Sequence, residues 1–102
     1  MANVLVARPG QGVTLQPFTD ELSALVNGSL QCVQLGNGYI LYCNHDGAEM
    51  DLPTNPYFSR GIVKGPFVIS KTGPDGGNVG LNPNDHAFVL KTFIQNQHGD
   101  VT

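Results

Sequence analysis

The feature that most constrains this chain is the placement of its turn formers. Of its thirteen glycines and seven prolines, eight glycines and four prolines fall in five clusters: Arg8-Pro9-Gly10, Gly36-Asn37-Gly38, Asn44-His45-Asp46-Gly47, Leu52-Pro53-Thr54-Asn55-Pro56 and Thr72–Gly80. Glycine supplies left-handed backbone and proline removes a ladder donor, so each cluster interrupts regular structure. The segments between them are short and apolar, which suits strands better than long helices.

Ala2–Ala7 reads as a buried strand and Val13, Leu15 and Pro17 as a second with one wet face, together an N-terminal hairpin. Thr19-Asp20-Glu21 starts a short helix: Thr19 caps the first N–H groups, and the two carboxylates sit where the helix dipole favours them. Leu22, Leu25 and Val26 form its apolar face, and Gly28 is suited to a left-handed stop. Leu30–Leu35 and Tyr39–Cys43 flank the clearest hairpin signal. The consecutive Tyr39, Ile40, Leu41 and Tyr42 predict a strand buried on both faces.

Ala48–Leu52 reads as a third strand of a meander, and Ile62–Lys71 as a strand with a bulge or break at Gly65-Pro66. For His86–Gln97 the readings are a helix, capped by Asn82 or Asn84 with Pro83 in its first turn, or a strand, given its β-branched and aromatic content. The expected fold is α+β: a small antiparallel, strongly bent sheet of about five or six strands. One short helix follows the N-terminal hairpin and a second lies near the C-terminus. Residues 1–97 form a single globular domain and 98–102 a frayed tail.

Composition bounds the partners. At 102 residues the chain is one domain, with 13% charged residues, a net charge of −3 and a pI of about 5.3. Unspecific nucleic-acid binding needs a basic surface and is excluded on charge. No apolar run is long enough for a membrane span, and no N-terminal address is visible. So few charges leave a surface of amides, hydroxyls and apolar groups, and sheet edges to protect. A homo-oligomer is expected.

Cys32 and Cys43 lack metal-ligand spacing. A four-residue hairpin loop over 36–39 would put them directly opposite and a three-residue loop diagonal, so a disulfide and two reduced, half-buried thiols in a cytosolic setting both stand open. Cys43, His45 and Asp46 are the one tight cluster of catalytic types, but N-H-D-G is ordinary turn chemistry. No catalytic residue, no metal site and no cofactor is assigned. The ligand-binding candidates are Asn44 and Asn55, amides at the ends of apolar stretches, then Tyr57 with Arg60 and Lys64. An aromatic platform with two cations suits a nucleotide. Lys71 joins them, beside the glycine-rich loop Thr72–Gly80.

From Leu22 to Asp85 the order of motifs resembles a small domain family of unknown function, known mostly from bacteriophage, prophage and plasmid genes. Leu25-Val26-Asn27-Gly28 stands at the helix end, Leu41-Tyr42-Cys43-Asn44 with Gly47 at the turn, and Leu52-Pro53-Thr54-Asn55 at the next element. Ile62-Val63-Lys64-Gly65 with Phe67-Val68-Ile69 fits the strand, and Leu81-Asn82-Pro83-Asn84-Asp85 the last helix start. His45-Asp46 departs from the family's acidic pair. The resemblance implies an α+β fold and a mobile-element origin, and carries no established activity. The expected function is a non-enzymatic accessory protein in the cytoplasm of a bacterial host. It would sequester a small host-derived ligand such as a nucleotide immune signal, or alternatively inhibit a host protein by surface complementarity or strand addition.

Overall fold

A computed structural model of the chain describes residues 3–17, 22–26, 28–47, 49–75, 77 and 79–95. In chain order these form β1 (Asn3–Arg8), β2 (Gly12–Pro17), α1 (Leu22–Val26), β3 (Leu30–Gly36), β4 (Tyr39–Asn44), β5 (Phe67–Lys71) and α2 (Pro83–Phe93). The fold is α+β. Its five strands make one open antiparallel sheet in the order β2-β1-β5-β4-β3.

The continuous apolar runs of β1, β4 and β5 exist because these three strands are covered on both faces. On one face Leu5, Ala7, Tyr39, Leu41, Cys43, Phe67 and Ile69 pack with Phe58, Val63, Leu81, Val89, Phe93 and Ile94 from α2 and the irregular chain around it. On the other, Val4, Val6, Ile40, Tyr42 and Val68 meet Leu22 and Val26 of α1. A helix of five residues has no independent stability and is held by that contact.

The β3–β4 hairpin turns at Asn37-Gly38, with φ of 56° and 85°. Positive φ at both central residues is the turn whose twist matches the strands, and Asn-Gly is its preferred pair. An irregularity between Gln34 and Gly36 leaves Leu35 without an opposite residue. As a result Cys43 faces Gln31, while Cys32 faces Tyr42. The cysteines are therefore neither opposite nor diagonal on one face. They lie on opposite faces of the sheet, and both are free thiols.

Two expectations are corrected. Residues 49–52 do not form a third meander strand. The Met50 N–H reaches the Asp46 carbonyl and the Leu52 N–H the Gly47 carbonyl, a compact turn, and β5 pairs with β4 where that strand would have lain. The break expected at Gly65-Pro66 within Ile62–Lys71 is present: Gly65 takes a φ of 85° and Pro66 follows it, so the strand is regular from Phe67. Gly28 is not left-handed; a side chain there would meet the Asn44 amide at 2.8 Å. The strand alternative for the C-terminal segment is also overturned: α2 forms, starting three residues before His86. Thr19, Asp20, Glu21 and the expected tail 98–102 lie outside the described residues. No helix among the described residues is long and apolar enough to cross a membrane.

Candidate functional site

The two amides singled out by sequence are buried and bonded to backbone. Asn44 donates from Nδ2 to the Val26 carbonyl at 3.1 Å and accepts from the Asp46 N–H at 2.8 Å, tying the end of β4 to the end of α1. Asn55 donates to the carbonyls of Ala7 (3.1 Å) and Gly65 (3.0 Å) and accepts from the Tyr57 N–H at 3.0 Å. It pins the irregular segment before β5 to the end of β1.

Tyr57, Arg60 and Lys64 leave that segment at different places. The chain at 57–60 closes over the last turn of α2, where carbonyls lack intrahelical partners. The Ser59 N–H donates to the Phe93 carbonyl, and the Gln95 N–H to the Tyr57 carbonyl. Arg60 donates from Nε to the Thr92 carbonyl at 3.3 Å, with its guanidinium 5.6 Å from the centre of the Phe93 ring. A cation there suits the negative end of the helix dipole. Lys64 donates to the Thr54 hydroxyl at 2.7 Å, across the bridge between residues 54 and 64.

Lys71 belongs to a different cluster. Asp85, third residue of α2, accepts from the Tyr39 hydroxyl at 2.7 Å and the Lys71 ammonium at 3.2 Å on one oxygen. Its other oxygen accepts from the Asn82 N–H at 3.0 Å, and the Asn82 side chain accepts from the Asp85 N–H in return. This is a reciprocal capping box that also bonds the carboxylate to β4 and β5. Burial works against the charge on Asp85. The Asn82 N–H, the Tyr39 hydroxyl and the Lys71 ammonium outweigh it and hold the carboxyl below its ordinary range. Burial first, and then the neighbouring carboxylate, push the Tyr39 hydroxyl up to about 12. Phe88 stacks on Tyr39 at 5.1 Å, and the Lys71 ammonium lies 5.3 Å from that ring's centre. A cleft of about 480 Å³ opens beside the cluster, lined by Lys71, Thr72–Pro74 and 79–83 with Asp85. Of the six candidates, Lys71 alone lines it.

Cys43 and His45 do not form a working pair. The Cys43 thiol is buried, its pKa pushed up by that burial and then by Cys32, opposite to the activation a nucleophile needs. His45 is exposed and bonds Asp46 at 3.2 Å. Among the described residues, no group of three or more His, Cys, Asp or Glu could hold a metal.

A surface that sequence reasoning did not assign to particular residues is the outer edge of β3. Among the described residues no strand lies beyond it. Six of its seven positions are exposed, including Leu30 and Val33, and the seventh, Leu35, is half-buried. The His45 N–H donates to the Ser29 carbonyl at 2.7 Å, which fixes the phase of the ladder. Hydrogen-bonded pairs alternate in antiparallel sheets, so Gln31 and Val33 turn their backbone groups toward β4. Leu30, Cys32 and Gln34 turn theirs outward. Natural edges are usually blunted by charge or proline, and Leu30–Gly36 carries neither. That blank composition was the available signal.

Fold and site together define a small α+β domain whose sheet is open at both ends. Sequence comparison places it further: residues 1–94 match DUF3846, a domain of unknown function, and the chain belongs to that family. No curated protein and no solved structure matches it.

Proposed function

We propose that the chain is a non-enzymatic binding module that takes a partner polypeptide as an added strand along β3. The observation that supports this is the edge itself: outward N–H and C=O groups at Leu30, Cys32 and Gln34, on a strand without charge or proline. Strand addition draws affinity from such main-chain groups and specificity from alternate side chains. The dispersal of Asn44, Asn55, Arg60, Lys64 and Lys71 into separate backbone, hydroxyl and ion-pair contacts favours this over a pocket built from all of them. A mobile-element setting and a role against host defence, inside the bacterial cell, belong to the same proposal and rest on the motif order from Leu22 to Asp85.

Hydrogen exchange tests it. The amides of Leu30, Cys32 and Gln34 exchange fast in the monomer and become protected in the complex. Cys32→Pro removes an outward donor, spares the ladder to β4 and abolishes binding. A complex that leaves all three amides unprotected refutes the reading.

One observation favours a second reading, sequestration of a small anionic ligand: Lys71, its side chain one-third exposed (33%), stands at the mouth of the 480 Å³ cleft. That volume is within the range of ligand pockets. Incubation with cyclic and ADP-ribose-type nucleotides, followed by heat release and assay, tests it. Recovery of one of them from the wild type and none from Lys71→Ala supports it, and no shift in Tm with any of them excludes it.

A further inference from the structure

We infer that the strand that docks on β3 is β3 of a second copy of this chain, antiparallel to the first, with a two-fold axis passing between Cys32 and its counterpart. This rests on the strand-addition reading and names its partner.

The register follows from two facts about β3. Its ladder is regular from Leu30 to Gln34 and is broken by the irregularity before Gly36. Within that stretch the outward backbone groups belong to Leu30, Cys32 and Gln34. Two antiparallel copies use all of them in one register alone: Leu30 opposite Gln34, Cys32 opposite Cys32, Gln34 opposite Leu30. Each is a hydrogen-bonded pair with two bonds. A slip of two residues discards a pair, and a slip of one brings inward-facing groups to the seam. Cys32 is the midpoint of the regular stretch, so the longest pairing puts the two-fold axis of a closed interface at Cys32.

The side chains agree with that register. On one face Leu30 lies opposite the partner's Gln34 and diagonal to its Cys32. On the other, Gln31 lies opposite the partner's Val33, and the two Val33 side chains meet diagonally across the axis. Leu30 and Val33, 37% and 40% exposed in the single chain, both stand at the seam and are covered by it. Charge decides for a copy of the chain itself. A strand paired with itself sets each charge near its own like, which is destabilising. From Leu30 to Gly36 there is no charge to repel. Leu30, Cys32 and Gln34 all stand exposed from the sheet. The result is a continuous ten-stranded sheet, twice the five of one chain.

Cysteine cross-linking reads the register. In a hydrogen-bonded pair the two Cα atoms are about 5.5 Å apart, inside the roughly 4.4–6.8 Å that a disulfide spans. With diamide as oxidant the wild type gives a disulfide-linked dimer, kept in Cys43→Ser and lost in Cys32→Ser. On the Cys32→Ser background, Leu30→Cys and Gln34→Cys each fail to link with themselves. Their Cα atoms lie four positions apart along the strand, about 13 Å at about 3.3 Å per residue. A mixture of the two variants links efficiently. Native mass is that of a dimer in the wild type and falls to half in Cys32→Pro, whose circular dichroism shows it folded. If Cys32→Pro fails to fold, the mixture of Leu30→Cys and Gln34→Cys still decides. A monomeric wild type, or self-linking of Leu30→Cys as fast as the mixture, overturns the inference. A monomer whose Leu30, Cys32 and Gln34 amides are protected by a different protein overturns it too, yet leaves strand addition standing.

Discussion

β3 and β4 are arms of one hairpin, joined by a single Asn-Gly turn, yet nothing in β4 is exposed and nothing in β3 is buried. Both arms carry apolar residues. They differ in what lies beyond them: β4 has β5 on its far side, α1 on one face and the α2 layer on the other, while β3 has β4 as its one strand neighbour among the described residues, a slight contact with α1, and Leu35 packed on the core. Burial in this molecule is set by neighbours more than by the residue types of a strand, and the arm with fewer neighbours is the one with bonding groups to offer.

The sharpest way to break this comparison is at Leu41 and Val33, which face each other across the hairpin. Leu41 is 1% exposed and Val33 40%. Leu41→Ala removes fully buried methyl groups and is expected to cost about 2–5 kcal/mol in urea unfolding. The next largest effect is expected at Asn55→Ala, which deprives two buried carbonyls and the Tyr57 N–H of their partner. Its cost, read in the same way, is about 1–3 kcal/mol. Asn44→Ala tests the same idea at the β4–α1 junction, at a similar cost.

Titration sharpens the contrast from the buried side. Asp85, with its carboxyl held low, stabilises the fold fully above its ordinary value of 3.8, and that stabilisation is lost as pH falls through the lower folded value. Tyr39 has the opposite sign. Its contribution is complete below pH 10.0 and is lost as pH rises toward about 12. Tm followed against pH should fall on both limbs, and Tyr39→Phe should flatten the alkaline one while the acid limb persists. The smallest effect belongs to the open arm: Val33→Ala should change monomer stability, measured below the concentration at which copies associate, by about 0.5 kcal/mol or less. Equal costs for Val33→Ala and Leu41→Ala would remove the distinction between the arms.

What the sequence disclosed was local. The turn at Asn37-Gly38, the unbroken apolar run of β4 and the Asn82-Pro83 helix start each follow from residues a few positions apart, and each formed where the local chemistry placed it. What it concealed depended on distant chain. The segment after Gly47 has a strand-like composition, but β5, some twenty residues on, occupies the flank of β4 it would have used. The unpaired Leu35 changes which face each cysteine takes, and no spacing rule foretells a bulge. The candidate ligand residues illustrate the same limit. An Asn beside a turn has the same sequence signature whether its amide meets a ligand or a carbonyl, and only the carbonyls of Val26, Ala7 and Gly65 distinguish the two.

The central position of β5 also sets the order of events in folding. The two hairpins close locally, on a timescale of about 1–10 μs, but they share no ladder with each other. They join only when Phe67–Lys71 inserts between β1 and β4. On a ribosome both hairpins emerge well before the strand that unites them, so β1 and β4 wait with unpaired flanks until β5 has been made. That interval, rather than the stability of the finished sheet, is when this chain is most exposed to pairing with the wrong strand.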